Sequence, residues 1–226
     1  MINRTISTLL AVILLLPGCA KHQETDTRVI RPPEWNFILI FLVDPSRRFA
    51  EKKFDAAAHR FLVGTAENYF RGRSEPDDRV LLASLTDEGG SPLLWQGTPR
   101  DLRRQFDTPE ALRDFVTQHS RPTKHVYASL AKTLDYVSDL PPVHDGKAKA
   151  VVVVLSDMLD DSKTREQDLV KAAAALKRFT ALRSEIGHWW VDWDAVPDFK
   201  KWYRKADLPE PHFIQQEPNP KPLTFE

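Results

Sequence analysis

Apolar positions along this chain fall into two kinds of run. Seven consecutive apolar residues, Phe37-Ile-Leu-Ile-Phe-Leu-Val43, lack any alternation, and Lys149-Ala-Val-Val-Val-Val-Leu155 repeats the pattern later. Runs this short, rich in β-branched and aromatic side chains, predict strands buried on both faces. Arg79 to Leu85 is a further strand candidate. Leu93 to Gly97 is a short strand able to pair back on it across the turn Gly89-Gly90-Ser91-Pro92. Gly187 to Asp192 and His212 to Gln216 complete the set. Helical spacing fills the gaps. It is carried by Phe54, Ala57, Ala58, Phe61, Leu62, Thr65 and Tyr69, and again by Val126, Leu130, Leu134 and Val137. Thr108-Pro109-Glu110 opens a short helix through His119, with Thr as cap and Pro at the first position. Thr164-Arg-Glu-Gln167 matches a capping box for a helix through Arg183, and Pro197 to Lys205 is a last helix.

Strands that alternate with helices predict an α/β fold: a doubly wound, mostly parallel sheet with helices on both faces. Ligands of such sheets sit at the carboxyl ends of the strands. The two most apolar strands both run into an aspartate, Asp44 and Asp157. Their side chains are expected to meet at one edge.

The N-terminus follows a different logic. Arg4 precedes an apolar stretch from Ile6 to Leu16, which ends in Leu16-Pro17-Gly18-Cys19. The order is that of a secretory signal, and the stretch is too short to span a bilayer as a helix. The Leu-Pro-Gly-Cys run resembles the lipobox of bacterial lipoproteins. That resemblance implies removal of residues 1–18, lipid attachment at Cys19 and anchoring in the cell envelope. With Ala20 rather than Asp next, it implies an outer membrane lipoprotein in a Gram-negative cell, facing the periplasm or the surface. In a Gram-positive cell the same signal implies the outer face of the plasma membrane. Residues 19–35 are polar and end in Pro32-Pro33, as expected of a tether. Residues 36–216 form the expected domain, and residues 217–226 an irregular tail.

Composition narrows the classes. Lys and Arg number 32, as do Asp and Glu, so no basic excess suggests a nucleic-acid partner. Mean hydropathy is −0.42, which fits a water-exposed domain. Cys19 is the only cysteine, so no disulfide forms within the chain, and packing must supply the stability.

Three pieces then fall in order: Asp44-Pro45-Ser46 after the first strand, Thr123 before a middle helix, and Asp157 after the valine-rich strand. This resembles the von Willebrand factor A domain over about Asn36 to Gln216. In that family an Asp-x-Ser-x-Ser run, a loop Thr and a later Asp form a metal-ion-dependent adhesion site. The resemblance implies Asp44, Ser46, Thr123 and Asp157 as ligands of magnesium, or of manganese or calcium. It also implies a partner protein of the envelope or secreted space whose acidic group completes the shell. Magnesium wants about six oxygens near 2.1 Å, and neutral hydroxyls leave it positive enough to attract a carboxylate.

One position departs from the family. Arg48 stands where the second Ser belongs. Pointing inward, its charge would repel a divalent ion by about 8 kcal/mol at ~4 Å and an effective dielectric of ~20. Pointing outward, it would cost one ligand that water can replace. As a third outcome, its guanidinium pairs with Asp44 or Asp157 and fills the site without metal. Arg48 is therefore the expected modulator, and both a metal-bearing and a metal-free site remain open.

Every residue also has a plainer role. Asp44-Pro45-Ser46 can cap a helix, Thr123 can be an N-cap, and Asp160 and Asp161 read as solvated loop charges, either of which can also approach the site. The seven histidines lack zinc spacing, and His119 and His125 read as surface groups flanking Thr123. No Gly-rich phosphate loop follows the first strand, and no Gly-x-Ser-x-Gly elbow is present. Ser46 breaks the Asp-x-Asp of haloacid-dehalogenase-type phosphotransferases. Trp189, Trp190, Trp193 and Trp202 cluster late in the chain, where an exposed member would suit a protein contact. The expected function is a non-enzymatic protein-binding domain. An envelope metal-dependent hydrolase, or an assembly subunit with a dead metal site, are the alternatives.

Overall fold

A computed structural model describes residues 37–46, 49, 56–73, 78–85, 93–119, 124–209, 214–215 and 219–225. Cys19, the signal and tether segments, Arg48 and Thr123 lie outside the described residues.

Six strands form one sheet in the order β3-β2-β1-β4-β5-β6. They are β1 Phe37–Val43, β2 Arg79–Ser84, β3 Leu93–Gly97, β4 Lys149–Leu155, β5 Glu185–Trp189 and β6 Ile214–Gln215. All neighbours pair in parallel except β2 and β3, which pair antiparallel as the turn signal predicted. β1 and β4 lie side by side at the centre, in register from Phe37 opposite Lys149 to Val43 opposite Leu155.

Alternate residues of the same strand feed two different cores. Leu39, Phe41 and Val43 of β1 face one layer, where Phe61, Leu62 and Leu112 meet them. Ile38, Ile40 and Leu42 face the other, against Leu130, Leu134, Leu176 and Trp202. The first layer comes from α1 (Ala56–Arg73), α2 (Pro99–Gln105) and α3 (Pro109–Gln118). The second comes from α4 (Val126–Ser138), α6 (Arg165–Ala181) and α7 (Val196–Lys205), with the short α5 (Pro141–His144) between α4 and β4. Val126, Leu130, Leu134 and Val137 all face inward at 0% exposure, as their spacing predicted.

The differences from the sequence reading have local causes. β5 begins and ends earlier than the expected Gly187 to Asp192, because Trp190 adopts φ 67° and turns the chain out of the sheet. Thr164 does not form the expected capping box. Its hydroxyl donates to the Asp168 carboxylate at 2.6 Å and makes no cap bond to the backbone. A reciprocal capping box forms instead at Thr98 and Asp101, opening α2. That helix escaped the periodicity reading because Leu102 is its one fully buried apolar residue.

The segment 219–225 has no regular structure, as expected, yet it packs firmly. The Leu223 amide donates to the Thr65 hydroxyl at 3.0 Å, and the Asn68 side chain donates to the Leu223 carbonyl at 2.9 Å. Gly64 permits the contact: a Cβ there would come within 2.7 Å of Pro222. Phe225 closes edge-on over Phe37 and Tyr69, with centroids 5.8 and 5.1 Å away.

Candidate functional site

The register of β1 and β4 brings Asp44 and the pair Ser156-Asp157 out at one edge of the sheet. The Asp44 amide still belongs to the ladder, donating to the Leu155 carbonyl at 3.0 Å. Its carboxylate is fully buried. One oxygen accepts from the Ser46 amide at 2.9 Å, and the other accepts from the Ser156 hydroxyl at 2.8 Å. The Asp-Pro-Ser turn is thus locked by its own first residue. Ser46 sits beside it, 8% exposed, and its hydroxyl accepts from the Phe49 amide at 3.2 Å.

The residue between the two aspartates is Lys124. Its ammonium lies 2.6 Å from Asp44 Oδ2 and 2.5 Å from Asp157 Oδ1. All three side chains are at least nine-tenths buried. Asp157 Oδ1 also accepts from the Leu159 amide at 3.1 Å. Met158, between them, adopts φ 60°, and its amide donates to the Ser156 hydroxyl at 2.9 Å. This left-handed turn is where backbone strain is stored along the edge, since a side chain at positive φ costs energy that the surroundings must offset.

Backbone bonds tie the surrounding loops together. The Lys124 carbonyl accepts from the Asp161 amide at 3.2 Å, and the Asp157 carbonyl accepts from the Asp192 amide at 2.9 Å. Asp160 is not the solvated loop charge expected. Its carboxylate accepts from the Tyr127 amide at 3.0 Å and so satisfies an open donor at the start of α4. Burial pushes its carboxyl above the usual range, against hydrogen bonds from Tyr127 and Ser162 that pull it down. His125, at the N-cap of α4, makes no side-chain cap bond. His119 Nδ1 stays 2.7 Å from the Phe115 carbonyl, within its own helix.

Asp44, Ser46 and Asp157 are therefore brought together as expected, while Thr123 and Arg48 fall outside the described residues. A basic side chain fills the space between the aspartates: Lys124, one position after the Thr that matches the family. The signal available in the sequence was a lysine at the entry to α4, where a macrodipole disfavours positive charge. A lysine placed there needs a compensating anion.

This geometry does not fit a divalent ion. The point that contacts both carboxylates is taken by the ammonium, and an ion ~4 Å from it would meet about 8 kcal/mol of repulsion at an effective dielectric of ~20. Entry would require Lys124 to leave. Among the described residues no group of three His, Cys, Asp or Glu side chains is arranged to hold a metal. The triad carries one positive and two negative formal charges, a net of −1, where a divalent ion with the same two aspartates would sum to zero.

Three of the late tryptophans are core: Trp189, Trp190 and Trp202 are 4% exposed or less. Trp193 is 77% exposed. Away from this edge, a cleft of about 650 Å³ opens along the starts of β4 and β5, between Ile186, Tyr203, Leu208 and Phe225. Its lining is mainly apolar.

No family sequence model and no characterised protein sequence matches the chain. Solved structures do. The pilus adhesin SpaC from Lactobacillus rhamnosus GG, in an open conformation, superposes with a TM-score of 0.51 at 9% identity, over 81% of this chain and 28% of that one. The manganese-loaded TRAP protein of Plasmodium vivax gives 0.44 at 15% identity, over 81% and 69%. An aerotolerance-related membrane protein from Bacteroides fragilis gives 0.49 at 7% identity, over 80% and 92%. At such identities the likeness concerns the fold alone. The domain is von Willebrand factor A-like: a mostly parallel sheet between two helical layers.

Proposed function

We propose that this chain is a protein-binding domain of the cell envelope whose adhesion edge works without metal. The observation that carries the reading is the position of Lys124, bonded at once to Asp44 and Asp157. In a metal-dependent edge, a partner carboxylate is drawn by the ion. Here the ammonium is neutralised in place, so binding does not wait on a divalent ion. The edge is also pre-formed, because the ion triad and the bonds from Asp161 and Asp192 hold its loops in one arrangement.

The Leu-Pro-Gly-Cys run supports anchoring through lipid on Cys19. At ~0.8 kcal/mol per buried methylene, several acyl chains hold a domain stably at a membrane. A chain of the outer membrane, facing the periplasm or the surface, is the localisation that Ala20 supports. The lysine also favours the assembly-subunit reading over a metal-dependent hydrolase, since a hydrolase needs an open metal position.

The test is capture of partners from envelope extracts by the full chain, with and without EDTA. The same partner should be retained under both conditions. A partner lost on EDTA treatment and restored by magnesium would refute metal independence.

A further inference from the structure

Trp193 stands on the same edge as the ion triad. The Asp192 amide donates to the Asp157 carbonyl at 2.9 Å, which joins the loop after β5 to the loop after β4. Trp193 then opens a single 3-10 turn, Trp193–Ala195. That turn is rigid. The Asp192 carboxylate accepts from the Asp194 amide at 3.0 Å, the Asp192 carbonyl accepts from the Ala195 amide at 3.0 Å, and Ala195 is buried. An indole 77% exposed on a held turn contributes little to the fold. Burying a side chain of that size against a partner is a large source of binding energy, and the fixed turn keeps the ordering cost low.

The chemistry around the ring selects the partner. Trp193 lies between Asp192 and Asp194, and neither carboxylate forms an ion pair among the described residues. The neighbouring triad adds a net negative charge. An exposed indole with an aspartate on either side in sequence fits a cation, and a planar one best, because a guanidinium can stack on the ring while pairing with a carboxylate. We propose that Trp193, Asp192 and Asp194 form the contact surface for an arginine-bearing segment of a partner protein. This rests on the metal-free reading of the edge, and it reverses the acidic partner that a metal-bearing site implies.

The test uses three short synthetic peptides, Gly-Arg-Leu-Arg-Gly and its Lys and Glu counterparts, titrated into the full chain with magnesium or EDTA. The Arg peptide should bind best and independently of magnesium, and the Glu peptide should not bind. Trp193→Ala and Asp194→Asn should each weaken the Arg peptide about fivefold, the size of an exposed cation–π or charge contact. Trp193 is exposed, so neither change threatens the fold. Unchanged Arg-peptide affinity in both variants, or no binding of any peptide, would overturn the surface while leaving the metal-free edge standing. Magnesium-dependent binding of the Glu peptide would overturn the edge itself.

Discussion

Two groups of buried polar side chains in this domain are treated in opposite ways. At the carboxyl edge, Lys124, Asp44 and Asp157 are buried as charges, and serine hydroxyls and backbone amides converge on the carboxylates. Behind β5 the buried groups are neutral. Tyr127 Oη, His188 Nδ1 and Trp202 Nε1 have no hydrogen-bond partner among the described residues, although the Tyr127 and His188 rings each pack edge to face on Trp202, with centroids 5.9 and 5.6 Å away. The difference teaches where partners are compulsory. An unpaired buried charge costs several kcal/mol, whereas a neutral polar atom on a large ring costs less and travels with much apolar area. The edge is built around its charges, and the aromatic layer is built around shape.

The comparison breaks most sharply at Lys124. Lys124→Ala removes the ammonium that bridges two buried carboxylates, and unfolding should become easier by about 3–5 kcal/mol at neutral pH in denaturant titrations. A loss under 1 kcal/mol would mean that the triad is no more than a surface ion pair.

Acid should then expose the other group. His188 is wholly buried, and burial holds its imidazole down to about 3. The unfolded chain, with a pKa near 6.5, binds a proton that the folded chain refuses. Stability from this group is therefore complete above about pH 6.5 and is lost as the pH falls toward 3. Between pH 7 and pH 5 the loss should be about 2 kcal/mol, and His188→Phe should flatten that slope. Equal slopes in the two proteins would remove His188 from the account.

The smallest effect belongs to Tyr127. Its hydroxyl is buried without a described partner, and burial pushes its pKa well above the ordinary phenol value. Tyr127→Phe should be neutral or stabilising by up to ~1 kcal/mol. A clear destabilisation in thermal melts would show that the hydroxyl is bonded in solution.

Much of this is legible in the sequence. The runs ending at Val43 and Leu155 are apolar on both faces, and that alone places them at the centre of a parallel sheet and their aspartates at one edge. What escaped depended on three-dimensional convergence. Lys124 at a helix start signals the need for an anion, but nothing in its spacing says that it reaches back 80 positions in sequence to Asp44. Arg48 drew attention because it broke a motif, while the lysine broke none. The end of β5 was misplaced because a tryptophan at positive φ is a poor sequence signal for a turn. Thr98 and Thr164 both carry capping patterns, and only the backbone at Thr98 is extended, as an N-cap requires. Asp160 passed for a loop charge because its partner, the Tyr127 amide, lies 33 positions away.

Metal independence is the central claim, and calorimetry reaches it most directly. Magnesium and then manganese are titrated into the full chain and into Lys124→Ser, which removes the ammonium and supplies a hydroxyl. The account predicts no saturable heat from the native chain and a measurable binding isotherm once the lysine is gone. Saturable magnesium binding by the native chain, weakened by Asp157→Ala, would contradict it.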